Sequence, residues 1–305
     1  MRKLFFLLLL LTCFLPLVTT PMALAAGIIF SLCLGNPWPE KSGKASQLLL
    51  KISVVGLGFG LSLGEVWTVG KGAVGYTVCG ITLTIGLGLL LGRLLRLRGK
   101  TAALISCGTA ICGGSAIAAI APVLGAHDEE TAVSLATVFT LNAVALILFP
   151  WVGHLLDLSQ QQFGVWAGLA IHDTSSVVGA AASYGLEALR TGTTVKLTRA
   201  VWIAPLALGV GLWLRSEKKA KFPLFIIGFM LAAMLHSLLP QVDQFWQTLS
   251  AIARQCLVVT LFLVGCGLSR EVLKKIGSRP LIHGLLLWLA VSVLTLGGLH
   301  HGLIR

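Results

Sequence analysis

Long apolar runs follow one another along almost the whole chain, and they constrain its fold more than any other feature. A helix needs about 20 residues to cross the hydrocarbon layer of a membrane, and eleven runs come near that length. The chain is 56% hydrophobic and only 11% charged, which excludes a sizeable soluble domain. We therefore predict an all-α polytopic membrane protein, one transmembrane domain over residues 1–305 with about eleven transmembrane helices. The runs are 4–18, 22–34, 45–63, 72–95, 101–124, 131–152, 163–183, 195–214, 222–239, 245–268 and 281–303.

The N-terminus has two interpretations. Its basic first residues, the run 4–18 and the small residues at 23–25 together imitate a cleavable secretory signal. The run 22–34 continues straight through the would-be cleavage site. We therefore expect two retained helices separated by residues 19–21.

The formal net charge of +12 comes from Lys and Arg residues in short loops between apolar runs. Such loops stay on the cytoplasmic side of a membrane, so the charge acts as a topology signal and nucleic acid is a poor partner. The pattern predicts a cytoplasmic N-terminus and a C-terminus outside. Basic segments assigned to the cytoplasmic side are 2–3, 41–44, 93–100, 215–221 and 270–279, and segments assigned to the opposite side are 65–71, 127–130 and 185–194.

Two short segments, 58–66 and 265–272, share the pattern Gly-x-Gly-Leu-Ser followed by Glu-Val. Each ends a long apolar run, and the two runs are seven spans apart, an odd offset that reverses their direction in the membrane. The pattern favours the inverted-repeat architecture of secondary transporters, with repeat-like halves at about 22–125 and 163–303. Chance similarity between Gly-rich helices is the alternative.

Residues 106–121 are too rich in Gly and small polar side chains for an ordinary lipid-facing helix. Unwound backbone survives at membrane depth only where protein or a polar cavity satisfies it, so we interpret this stretch as a broken helix at a binding site. A second stretch, 171–181, has the same character 60 residues later. Two broken helices that meet head to head would aim N–H groups at one centre and favour an anion. The candidate ligand-binding residues are Cys112, Gly113, Gly114, Ser115, Thr174, Ser175 and Ser176.

Two difficulties attach to this interpretation of the broken helices. Counting spans makes the two stretches parallel, unless one of them is a re-entrant hairpin. Tight helix packing through Gly and Ala explains the small residues nearly as well.

His172 and Asp173 are ionisable residues within an apolar run. Such residues are costly in a membrane and usually face an interior cavity, where they bind ions or relay protons. We assign them to a coupling-ion step, with H⁺ or Na⁺ as the ion. The alternative is that the span begins later and leaves the pair in the mouth of the bundle.

Lys196 and Arg199 are three residues apart and so share one face of a helix. If both point inward, they supply positive charge and hydrogen-bond donors for an oxyanion such as sulfate, a sulfonate or a carboxylate. The alternative is that both side chains extend to the outer headgroups.

Other chemistry finds little support in the sequence. Neither a phosphate-binding loop nor a zinc-binding helix motif is present, and the seven cysteines all lie in apolar runs without metal spacing. The residues 127–130 indicate a solvated loop, and the His300–His301 pair lacks further ligands. We expect no metal, no cofactor and no enzyme activity.

Three segments together resemble a known family: 107–122, 170–180 and 195–205. They are similar to the bacterial sulfate exporter family, a largely uncharacterised group of inner-membrane proteins, and the resemblance covers about 22–305. It implies a transporter of ten to eleven helices in the bacterial cytoplasmic membrane, distantly related to inverted-repeat carriers of the bile-acid and proton-antiporter kind. Asp173 stands where the family leads us to expect Glu, so a carboxylate is kept.

The sequence as a whole predicts a secondary-active exporter of a small anion, sulfate or an organosulfonate, coupled to H⁺ or Na⁺. A cation/proton antiporter and a passive anion channel of the same architecture are the alternatives, and an intramembrane enzyme lacks a third catalytic partner. The expected partners are the anion, the coupling ion and the lipid bilayer. The oligomeric state is left open, a homo-oligomer included.

Overall fold

The computed structural model describes residues 2–15, 17–214, 224–267 and 277–304. Helix accounts for 84% of the structure, and the described residues contain no strand, which confirms the all-helical prediction. The helices of these ranges are α1 (Arg2–Thr12), α2 (Thr20–Leu34), α3 (Pro39–Gly58), α4 (Leu63–Leu94), α5 (Gly99–Ala110), α6 (Gly114–Ile120), α7 (Asp128–Leu155), α8 (Gln160–Ala170), α9 (Thr174–Tyr184), α10 (Leu186–Val201), α11 (Ile203–Leu214), α12 (Phe225–Leu238), α13 (Asp243–Cys266) and α14 (Ser278–His300).

Several of these helices have the length and composition of membrane spans. Within the described ranges, five helical stretches are long and apolar enough to cross a bilayer. They are Val74–Leu94, Glu129–Leu155, Leu186–Leu214, Pro240–Cys266 and Ser278–His300. The finding confirms a protein with several apolar spans, whereas the predicted number of eleven is not confirmed.

The chain forms two compact units that interleave along the sequence. The first unit comprises Met1–Thr68 and Leu224–Leu273, and the second comprises Val69–Pro223 and Lys274–Arg305. The repeat-like halves expected at 22–125 and 163–303 stay a prediction.

Helix α13 is the centre of the first unit, where it packs against α2 and α3. Helix α3 approaches it closely because a Cβ at Gly56 would already lie 2.5 Å from the side chain of Ala253. Three residues further on, Phe59 stacks on Trp246 with ring centroids 5.2 Å apart, so the two helices run in opposite directions. The second copy of the predicted repeat, 265–272, lies largely outside the described residues.

In the second unit, the stretch expected to cross the membrane at 101–124 folds back on itself. A straight helix of that length would separate its ends by about 36 Å. Instead, Lys100 Nζ donates to Gly125 O over 2.7 Å, and Arg98 and Glu129 form an ion pair at 3.2 Å. The prediction of a single crossing here is therefore wrong, as is the placement of 93–100 and 127–130 on opposite sides. We call α5, residues 111–113 and α6 hairpin 1, and residues 111–113 tip 1.

The stretch expected to cross at 163–183 folds back in the same way. The rings of Phe163 and Tyr184 stack with centroids 3.8 Å apart, although a straight helix between them would span about 32 Å. Glu187 N also donates to Gln160 Oε1 over 3.0 Å. We call α8, residues 171–173 and α9 hairpin 2, and residues 171–173 tip 2. Gly185 alone joins α9 to α10, so the loop expected over 185–194 is helical instead.

Helix α7 connects the two hairpins and sets their directions. Its first turn lies at the open end of hairpin 1, where Glu129 pairs with Arg98. Its last turn lies at the open end of hairpin 2, where His154 stacks on Tyr184 with ring centroids 4.3 Å apart. The two hairpins therefore enter the second unit from opposite ends of α7.

Candidate functional site

The tips of the two hairpins meet at the centre of the second unit. Gly113 has a positive φ of 65°, and a Cβ built on it would lie 3.2 Å from both Cα and Cβ of Asp173. Only glycine combines this conformation with so close an approach of two backbones. The structure thus brings the two predicted broken segments together, and both of them lie in hairpins that fold back on themselves.

Each tip is followed by the N-terminus of a returning helix. Asp173 is the N-cap of α9, where its Oδ2 accepts hydrogen bonds from the backbone N–H and the hydroxyl of Ser175. Gly113 precedes α6 without a side-chain cap. The predicted ligand-binding residues fall at these two N-termini, and all are buried except Ser115, which is exposed.

Lys196 and Arg199 lie on α10 and point into the second unit, with exposed fractions of 0% and 2%. Lys196 Nζ donates to Ile171 O over 2.6 Å and to Gly168 O over 3.4 Å. Arg199 donates to Leu169 O and to Ala110 O, which belong to different hairpins. The alternative of side chains reaching outward to the headgroups is therefore wrong.

Asn142, at the middle of α7, is a site residue that the sequence analysis missed. Its Oδ1 accepts the backbone N–H of Asp173 at 3.3 Å, and its Nδ2 is buried with no hydrogen-bond partner among the described residues. The sequence does contain a signal for this residue, because Asn142 is the one amide side chain in the apolar run 131–152. A polar side chain within a span usually faces the interior.

The side chain of His172 lies beside Trp288 of α14. Its ring lies 6.4 Å from that of Trp288, centroid to centroid, and His172 is only 1% exposed. Neither ring nitrogen has a hydrogen-bond partner within the described part of the chain. The same holds for Trp288 Nε1 and for Ser292 Oγ, one helical turn further along α14. Buried polar groups are rarely left unpaired, so these three side chains are candidates for a functional role in addition to packing.

Unpaired polar atoms also lie near the point where tip 1 and tip 2 meet. Thr109 Oγ1 and Arg199 Nε are buried without a partner in the described ranges, as is Asn142 Nδ2. Two of these three atoms are pure hydrogen-bond donors. A centre with spare donors and two cationic side chains is suited to a ligand that accepts hydrogen bonds.

The site offers no cluster of metal ligands. No group of three or more His, Cys, Asp or Glu side chains with suitable geometry occurs among the described residues. His172 and Asp173 stay the candidate coupling pair, although their side chains face different neighbours.

Apolar helices of spanning length and a polar centre built on helix ends define an α-helical, multi-pass membrane protein. The chain matches the family described as "Conserved hypothetical protein 698" over residues 10–284, and it belongs to that family. The match confirms an uncharacterised family of membrane proteins. The more specific resemblance to sulfate exporters stays a prediction.

Its relatives carry the family name UPF0324 membrane protein. GSU2818 of Geobacter sulfurreducens is 58% identical over 296 residues, covering 97% of this chain and 96% of its own length. Bd1437 of Bdellovibrio bacteriovorus is 49% identical over 302 residues, covering 97% of this chain and 93% of its own length. A relative from Bacteroides thetaiotaomicron is 49% identical over 282 residues, or 92% and 86% of the two chains. No solved structure matches the chain significantly.

Proposed function

We propose that the protein is a secondary transporter which exports a small anion, with sulfate or an organosulfonate as the substrate class and H⁺ or Na⁺ as the coupling ion. The observation that carries the proposal is the meeting of tip 1 and tip 2 beside two buried cationic side chains. Broken helices at membrane depth are a recurring way to build ion sites in transporters.

The expected sign of the ligand's charge follows from the charged groups near the point where tip 1 and tip 2 meet. Arg199 is always charged in proteins, and Lys196 lies on the same face of α10. The N-terminus of α9 adds the positive end of a helix dipole. Against these stands one carboxylate, Asp173, which is partly buried. The balance favours an anion, held by donors from residues 112–115 and 174–176.

An inverted repeat accounts for the arrangement of the second unit. Hairpin 1 followed by α7 and hairpin 2 followed by α10 and α11 are the two copies, and they enter from opposite ends. Tip 1 begins at Ile111 and tip 2 at Ile171, the offset of 60 residues found in the sequence. The opposed directions of α3 and α13 support a corresponding repeat in the first unit.

The hairpins also change the proposed topology. Two predicted spans become hairpins that do not cross, so the proposed number of crossings falls from eleven to nine. An even change leaves the N-terminus cytoplasmic and the C-terminus outside. The segment 127–130 moves to the cytoplasmic side with 93–100, in the bacterial inner membrane.

The test is transport by purified protein in liposomes. We expect saturable sulfate or sulfonate efflux that speeds up when a pH or Na⁺ gradient is imposed. Lys196→Ala should abolish it, and Arg190→Ala, an exposed position on the same helix, should not. Saturable flux that ignores both gradients would remove the coupling claim, and flux that never saturates would indicate a channel.

A cation/proton antiporter is the second candidate, favoured by the partly exposed carboxylate of Asp173 at the crossing. The shift of the thermal unfolding temperature in detergent distinguishes the anion exporter from the antiporter. Stabilisation by sulfate or ethanesulfonate at constant Na⁺ supports the anion, whereas stabilisation by Na⁺ or Li⁺ at constant anion supports the antiporter.

A further inference from the structure

We propose that Arg199 and Lys196 are positioning residues that do not touch the transported ion. Both cap the C-terminal end of α8, and Arg199 also caps α5 and so fastens the two hairpins together. Only the ligand readout of this proposal rests on the proposed function.

The need for such caps follows from where α5 and α8 end. A helix leaves its last four carbonyl groups without intrahelical donors, and an unsatisfied carbonyl away from water is strongly unfavourable. Both helices end in the buried interior of the second unit, at Ala110 and Ala170. Water is therefore a poor source of the missing donors.

The two cationic side chains satisfy these carbonyls directly. Lys196 binds the carbonyls of Gly168 and Ile171 at the end of α8. Arg199 binds Leu169 O on hairpin 2 and Ala110 O on hairpin 1. The C-terminus of a helix carries partial negative charge, so a cation at this position is favourable for electrostatic reasons as well.

The forked guanidinium explains why arginine occupies position 199. Its planar donors diverge and can reach two carbonyls on separate segments at once, whereas an ammonium group is a compact point charge. Of the three guanidinium nitrogens of Arg199, only Nε is left without a partner in the described part of the chain. The donors to the ligand then come mainly from the start of α6 and of α9, at 112–115 and 174–176.

One consequence concerns motion. Because a single side chain binds both hairpins, tip 1 and tip 2 keep their relative position when the ion binds and leaves. The binding centre is therefore organised before the ion arrives.

The test compares Arg199→Lys with Arg190→Lys, the same change at an exposed position of α10. Both are made in a chain whose only cysteine is Cys112, which lies in tip 1 and is 1% exposed. If Arg199 fastens the hairpins, Arg199→Lys loosens them and speeds alkylation of Cys112. We expect an increase of about tenfold or more, which corresponds to the loss of one buried hydrogen bond to a charged group. Arg190→Lys should alkylate at the parent rate. An unchanged rate in Arg199→Lys, with sulfate affinity retained, would overturn the proposal in favour of a simple charge effect.

A measurement on the unaltered protein covers the case in which Arg199→Lys does not fold. Hydrogen exchange of peptides covering 106–116 and 168–176 is followed with and without sulfate. Fastened tips are protected before sulfate is added, so protection that appears only with sulfate contradicts the proposal. If no anion binds at all, the proposed function fails, while alkylation and exchange still test the fastening.

Discussion

Asp173 and Asn142 lie against each other at the centre of the second unit, where the backbone N–H of Asp173 donates to Asn142 Oδ1 over 3.3 Å. The bond fixes tip 2 to the midpoint of α7, the helix that also anchors the open ends of both hairpins. It further orients the Asn142 amide, so that Nδ2 is left as a spare donor at the crossing.

Replacing Asn142 tests whether the bound ligand is negatively charged. Asn142→Asp keeps an acceptor for Asp173 N but turns the spare donor into a negative charge. Two like charges about 4 Å apart repel by about 1–4 kcal/mol, so the sulfate affinity should fall at least about fivefold. The measurement is the shift of thermal unfolding with sulfate concentration. Gln161→Glu adds the same charge at the exposed start of α8 and should leave the affinity unchanged.

Substitution of Gly113 tests the close approach of the tips. Gly113→Ala adds a Cβ at 3.2 Å from Asp173 in a left-handed conformation, and we expect a loss of about 1–3 kcal/mol of stability. The matched control is Gly125→Ala at the open end of hairpin 1. Gly125 also has a positive φ, of 60°, but only Lys100 Nζ lies within 4 Å of its added Cβ. Equal losses in the two variants would mean that backbone strain alone, without contact between the tips, explains the effect.

Asp173→Asn tests the coupling step. The amide oxygen can still accept the N–H of Ser175, so the N-cap of α9 is kept while the charge is lost. We expect anion binding to persist and the gradient dependence of transport to disappear. Asp157→Asn is the control, because Asp157 is exposed and its positive φ of 49° suits Asn equally well. Gradient-driven transport in Asp173→Asn would assign coupling to another group.

Cysteine labelling in intact cells tests the two hairpins. In a chain without native cysteines, single cysteines are placed at the exposed positions Arg98, Glu129, Ser159 and Glu187. An impermeant reagent should reach 159 and 187 from outside the inner membrane, whereas 98 and 129 should react only after the membrane is opened. Labelling of 98 and 129 from opposite sides would restore a single crossing at 101–124.

The positions of both helix breaks could be predicted from the sequence. Tip 1 contains Gly113 and tip 2 contains His172 and Asp173, residue types that are expensive inside a lipid-facing helix. Their common offset of 60 residues also indicated that the two segments belong together. The candidate ligand-binding residues follow directly from those breaks, and their role stays a prediction.

The return of each hairpin could not be predicted from apolar length. Residues 101–124 are as long as a crossing whether the chain continues or folds back, because hydropathy measures length and not direction. The partners of Lys196 and Arg199 were equally hidden. They are backbone carbonyls, which every residue carries, so no side-chain pattern announces them.

The lengths of α5, α7 and α8 determine where the two tips meet in the second unit. Helix α7 has 28 residues and rises about 42 Å, while the inward arms α5 and α8 together rise about 35 Å. The arms are therefore just long enough to bring their ends together along one helix. A single inserted residue in α5 or α8 would advance its tip by about 1.5 Å and rotate it by about 100°. An insertion in a turn at the open end of a hairpin would leave the lengths of α5 and α8 unchanged, whereas an insertion within either helix would separate the two tips.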